Sequence, residues 1–130
     1  AKSHKPQTKI DTLIGAGTVI SGDVQFSGGL RVDGEIKGNV FATDGVPSTL
    51  VISEHARVEG EIRVTHLVIN GAVTGPVQAS EFLELQPKAK VTGDVEYSRV
   101  EMHLGAVVQG RLIHQVQSVK SVELKLASSK

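Results

Sequence analysis

Two pairs of carboxylates, Asp33-Gly34-Glu35 and Glu59-Gly60-Glu61, are the residues of this 130-residue chain best spaced for hydrolytic chemistry. Glycoside hydrolysis needs one carboxyl that stays protonated and a second that stays ionised, set across the scissile bond. Side chains at i and i+2 of a strand share one face, so each pair could present its acids together. A cleft would have to enclose them, and no long loop flanks either pair. Both pairs therefore read as solvated surface. The five histidines, His4, His55, His66, His103 and His114, stand at no repeated spacing with another His, Asp or Glu. No metal site is expected from them. The chain has no Cys, which excludes disulfides and thiolate ligands. No glycine-rich loop ends in Lys-Ser or Lys-Thr, so no nucleotide or other cofactor is expected and no catalytic residue is assigned. Aromatic side chains make up 3%, and Phe26, Phe41, Phe82 and Tyr97 are too few for a base-stacking platform. Specific nucleic-acid binding is not expected.

The pattern that carries these polar residues is a repeat. Val58-Glu59-Gly60-Glu61-Ile62 alternates aliphatic, polar, Gly, polar, aliphatic. It returns around Gly22, Gly38, Gly75, Gly93 and Gly110, at spacings of 16, 22, 15, 18 and 17 residues. A recurring period of short alternating segments is the signature of a solenoid. The aliphatic residues are largely β-branched, which favours strands. The repeats agree best in pairs: Leu30 to Val40 matches Leu67 to Val77, while Ile14 to Phe26 matches Ile52 to Val64 and Leu85 to Tyr97. Val58, Ile62, Ile69, Val73, Val91 and Val95 are expected inside, and Glu59, Glu61 and Asp94 outside. The glycine of each repeat is expected to face inward at a crowded corner. The widest spacing contains Asp44-Gly45-Val46-Pro47-Ser48, which reads as a protruding loop. The fold class is all-β, a parallel β-helix over residues 10–113.

Charge is unevenly distributed. Residues 1–9 carry Lys2, Lys5 and Lys9 and no acid, and residues 114–130 carry three lysines against Glu123. Since the formal net charge is zero, the centre must be acidic. Segment 1–9 lacks large apolar side chains and is expected to be a disordered basic tail. Segment 114–130 is expected to be mostly disordered, with Val122, Leu124 and Leu126 as one possible further strand. Neither a membrane-length apolar run nor a charged-then-apolar leader is present, so a cytoplasmic location is expected.

Gly34, Gly38, Gly60, Gly71, Gly75, Gly93 and Gly110, with their aliphatic neighbours, resemble the bactofilin pattern over about 12–113. The stretch Leu30-Arg31-Val32-Asp33-Gly34-Glu35-Ile36-Lys37-Gly38-Asn39-Val40 is similar to the start of that family's repeat region. The resemblance implies a right-handed β-helix of about six coils. It implies bacterial cytoskeletal filaments that assemble end to end without nucleotide, contact the inner face of the cell membrane and localise cell-wall enzymes. Family members often carry an apolar or aromatic residue at the extreme N-terminus, and residues 1–9 have none. Lys2, Lys5 and Lys9 are then the candidates for contact with anionic lipid.

A solenoid without caps exposes unpaired backbone and apolar side chains at both ends. Leu13, Ile14 and Ile20 are the expected assembly residues of the first coil. Val107, Val108, Leu112 and Ile113 are those of the last. The resemblance implies like-to-like contacts between ends, and hence a filament without polarity. The competing reading is a left-handed β-helix acyltransferase of the hexapeptide type. That class needs a motif every six residues, whereas Gly34 and Gly38, like Gly71 and Gly75, lie four apart.

Overall fold

A computed structural model describes residues 9–116. Alternating aliphatic residues make 16 short strands, and among the described residues there is no helix. Every strand pair is parallel and joins one turn of the chain to the next. Six coils result, each contributing to three faces. The first face holds Thr12–Ile14, Gly28–Val32, Ser48–Ile52, the second halves of Ile62–Ile69 and Val77–Leu85, and Val100–Met102. The second holds Val19–Ser21, Glu35–Lys37, Arg57–Glu59, Ala72–Thr74, Lys90–Thr92 and Val107–Gln109. The third holds Val24–Phe26, Val40–Ala42, the first halves of the two long strands, Val95–Tyr97 and Leu112–His114. The expected β-helix is the observed architecture.

Register turns the alternation into columns. Ile36, Val58, Val73 and Val91 lie one above another, flanked by Ile20 and Val108 at the ends. Leu30, Leu50, Leu67 and Leu83 form a second column, and Val40, Ile62, Val77 and Val95 a third. All of these except the end residues are buried, as expected for Val58, Ile62, Val73, Val91 and Val95. Ile69 is likewise buried, and Glu59, Glu61 and Asp94 project outward. A one-residue slip would send each column to solvent, so the burial pins the register.

The glycine corner has a different cause from the one expected. A Cβ on Gly60 would strike the carbonyl of Gly38 in the coil below; on Gly75 it would strike Gly60, and on Gly93, Gly75. The collision lies along the stack and not in the core, and these glycines are half-exposed. Gly60 also has φ +154°, in the region that disfavours side chains. The same corner passes the hydrogen-bond ladder on. Gly60 N–H donates to Thr74 O at 2.9 Å, and Gly75 N–H to Thr92 O at 2.9 Å. Beside it, Asp23 and Asn39 side chains accept the N–H of Asn39 and Glu61 in the next coil at 2.9 and 2.8 Å. Glu61 has no such duty, because the equivalent residue above it is Pro76, which has no N–H.

The paired agreement of the repeats has a structural origin. Coils 1, 3, 5 and 6 turn from first to second face through a β-turn, with Thr18 N–H donating to Gly15 O, Ala56 to Ser53, Ala89 to Gln86 and Ala106 to His103. Coils 2 and 4 take a shorter corner at Gly34 and Gly71. A Cβ on Gly71 would meet Ser53 O and Ala56 O, so the short corner nests inside the turn beneath it. Coil 6 breaks the alternation by laying a second turn on that of coil 5. Leu104 is thereby left on the outside, 96% exposed.

The insertion corrects one expectation. Asp44, Gly45 and Val46 do form an exposed turn. Ser48 does not belong to the loop: it is fully buried and opens the strand Ser48–Ile52. Its N–H donates to Thr65 Oγ1 at 2.7 Å, and Thr65 Oγ1 donates back to Ser48 O at 2.6 Å. One threonine hydroxyl thus replaces a ladder partner where the inserted residues rejoin the coil.

Gly60→Val should destabilise the fold by about 3 kcal/mol or more, because a backbone carbonyl cannot yield to a side chain. Gly22→Val, in the first coil at φ +132°, carries the same kind of backbone strain, but a Cβ there meets nothing within 4 Å, so it should cost less. Thermal melts of the two variants beside the parent check the order. Equal losses would contradict the axial-clash account.

Candidate functional site

The carboxylate pairs do not form a catalytic dyad. Arg31 Nε lies 3.0 Å from Asp33, and Arg63 Nε lies 2.8 Å from Glu61. Hydrogen bonds from Ser53 and then Arg31 hold the Asp33 carboxyl below the ordinary aspartate range, the wrong direction for a general acid. The groups nearest to a triad are Glu81, His66 and Thr65. His66 is buried, its Nε2 3.5 Å from Glu81 and its Nδ1 3.2 Å from Thr65 Oγ1. Thr65 already donates its proton to Ser48 O, so it stands as a structural hydroxyl and not as an activated nucleophile. Thr65 and Glu81, but not His66, edge an open groove of about 740 Å³ under the insertion, bordered by Phe41, Val46 and Arg63. Arg63 is engaged by Glu61 and by the Phe41 ring, 5.1 Å from its guanidinium carbon.

One constellation departs from the reading of scattered histidines. Glu84 and Glu101 are register partners on the outer side of coils 5 and 6. His103 Nε2 lies 3.1 Å from Glu84 Oε2 and 3.4 Å from Glu101 Oε2. Gln86 donates to the same Glu84 oxygen at 3.3 Å. The signal was in the sequence: Glu101-x-His103 sits one 17-residue coil above Glu84-x-Gln86. A search for spacings along one strand misses a ligand set that lies across two.

The ends of the solenoid are the other unusual surfaces. Ile14 and Ile20 take inward positions in the first coil, as do Val108 and Leu112 in the last. Leu13, Val19, Val107 and Ile113 do not. Their register partners are Arg31, Glu35, Lys90 and Glu96, so they point sideways. Val100 and Met102, which hydrophobicity alone did not single out, do belong to the end. Val100 is 37%, Met102 47% and Leu112 46% exposed, while Leu83, Leu85 and Val95, one coil below in the same columns, are all 0%. Among the described residues no further coil covers them. The first coil is better closed, with Ile14 buried and Thr12 where the next four coils have Leu. Lys9 is exposed; Lys2 and Lys5, and residues 117–130 of the expected C-terminal tail, lie outside the described residues. His114 closes the last strand.

The last coil also leaves its backbone ladder unextended among the described residues. Gly93 and Val95 donate to Gln109 O and Arg111 O; the equivalent N–H groups of Gly110 and Leu112 point off the end. Leu85 and Ala89 carbonyls accept from coil 6, so those of Met102 and Ala106 point off it too. Among the described residues no further strand meets them.

Among the described residues the chain is a rod of stacked parallel coils with aliphatic side chains open at the last one, which defines a β-solenoid. The family model for bactofilins, described as polymer-forming cytoskeletal, matches residues 12–113, and the chain belongs to that family. It is 29% identical over 102 residues to bactofilin BacO of Myxococcus xanthus strain DK1622, covering 78% of each chain. It is 27% identical over 113 residues to bactofilin BacP of the same strain, covering 86% of this chain and 45% of that one. This chain thus spans less than half of BacP. No solved structure matches it.

The last coil is tied to the fifth by a bidentate contact. Asp94 accepts from Arg111 Nη2 at 2.8 Å and from its backbone N–H at 3.0 Å. The Arg111 side-chain bond, then the backbone bond, lower the Asp94 carboxyl below its ordinary range. A lowered folded-state value means stabilisation that is present above the ordinary aspartate range and lost as pH falls through the folded value. Asp94→Asn keeps the backbone acceptor and drops the charge. It should melt slightly below the parent at neutral pH and converge with it in strong acid; a gap that widens in acid would refute the assignment.

Proposed function

We propose that this chain polymerises end to end, without nucleotide, into a filament that serves as a scaffold for cell-shape or cell-wall machinery, with no enzymatic activity of its own. The observation that carries this reading is the uncovered last coil, where three side chains from otherwise dry columns meet solvent. Stacking a second copy on that coil would bury them and engage N–H groups at Gly110 and Leu112 and carbonyls at Met102 and Ala106. Because this end holds both donors and acceptors, it can pair with itself about a two-fold axis. Alternating contacts, last coil to last and first to first, then yield a filament with no direction. Six coils at about 4.8 Å give a subunit of about 29 Å and a repeat of about 58 Å. The assembly residues in this reading are Ile14, Ile20 and Val24 at one end, and Val100, Met102, Val108 and Leu112 at the other.

The filament would lie in the cytoplasm, peripheral to the inner face of the membrane where Lys2, Lys5 and Lys9 meet anionic headgroups. Each lysine near such a surface contributes about 1 kcal/mol. Cell-wall-modifying enzymes are the partners it would recruit.

Leu112→Arg places a charge in the last-coil contact, where desolvating it opposes stacking. The variant should keep its β-type circular dichroism and stop at dimers joined through first coils, measured by light scattering and negative-stain microscopy. Long filaments from a folded variant would exclude the last coil as an assembly surface. Replacing Lys2, Lys5 and Lys9 with Glu should abolish sedimentation with anionic vesicles. Retained sedimentation would rule out the electrostatic contact.

A further inference from the structure

We propose that Glu84, Glu101 and His103 form a binding site for a transition-series divalent cation of the zinc type, stapling coil 6 to coil 5. Several acids on the side faces of this rod meet a permanent cation, and Glu54 lies 4.0 Å from Lys88. Asp33 has Arg31, Glu61 has Arg63, and Asp94 has Arg111. Glu84 and Glu101 are placed differently. They are stacked in register on adjacent strands, where like charges repel. Among the described residues no Lys or Arg lies within ion-pair distance of either, and their shared partner is the imidazole of His103.

The donor set suits a borderline cation. One imidazole nitrogen and two carboxylate oxygens are ordinary ligands of zinc, with bonds of about 2.0–2.2 Å and tetrahedral geometry. The edge of such a tetrahedron is about 3.3 Å. His103 Nε2 already stands 3.1 and 3.4 Å from the two carboxylate oxygens, close to that edge on both sides. All three donor atoms fall within 4.8 Å of one another. Glu101, the most exposed of the three, closes the oxygen–oxygen edge by a side-chain rotation, and water takes the fourth position. Gln86 donates to the same Glu84 oxygen and so orients that carboxylate, as outer groups orient metal ligands elsewhere. Glu101 and His103 alternate with Met102, so the strand that directs two ligands sideways directs Met102 into the uncovered end. A bound cation would therefore steady the backbone that presents that end.

Equilibrium dialysis of the full chain against zinc ions, with His103→Gln and His55→Gln in parallel, tests the site. The parent and His55→Gln should bind one more zinc per chain than His103→Gln. Glu101→Gln should weaken that zinc at least tenfold. Zinc should raise the melting temperature of the parent and of His55→Gln but not of His103→Gln. Equal stoichiometry in the parent and His103→Gln would overturn the proposal, as would zinc binding that Glu101→Gln leaves unchanged. All readouts are independent of filament formation, so failure of the assembly reading would leave the test intact.

Discussion

The closeness of one backbone turn to the next governs this molecule. Coils stacked at the spacing of hydrogen-bonded strands leave no room at the corner for a side chain that points along the stack. Gly38, Gly60, Gly75, Gly93 and Gly110 each lie over a carbonyl that a Cβ would strike. With glycine there, the ladder continues around the corner and consecutive coils align. Alignment puts aliphatic residues in columns, and the columns hold the register. The chain can then vary its turns, lengthen one coil by an insertion and exchange Asp, Asn, Glu and Pro at the position after the glycine.

That hierarchy explains what could be read from residues alone. The glycine phase and the two-residue alternation around it place Ile36, Val58, Val73 and Val91 in the core, and the solenoid follows. Reading strands as flat segments put the corner glycines inward, because period-two logic has no axis along which coils approach. Ser48 looked like loop because it follows Gly-Val-Pro, and its bond to Thr65 is set by neighbouring coils. Hydrophobicity alone points to Leu13, Val107 and Ile113, although counting by twos from Gly110 puts Val107 and Ile113 on the outside. The Glu84, Glu101 and His103 cluster is legible only once the coil length is known.

The two ends are not equivalent. The first coil has Thr12 where its neighbours have Leu, and Ile14 is already closed off. The last has Val100, Met102 and Leu112 open, with Leu104 standing beyond them on a turn that coil 2 or 4 would have shortened. The apolar drive for association scales with the area removed from water, so a contact made through the last coil would gain more than one made through the first. The same terminal coil is the one held laterally by Arg111 to Asp94 and by His103 to Glu84.

The orientation of the ladder has a mechanical consequence. Backbone hydrogen bonds join coil to coil and so run along the rod, while the covalent chain runs around it. A pull along the axis would load every bond between two coils at the same moment, in the manner of a rope with many strands. A layer parts only when all of them yield together. Bending is resisted by the same bonds on one side and by packed aliphatic columns on the other. Such a rod is stiff for its width, and its easiest fracture plane lies between layers and not through one.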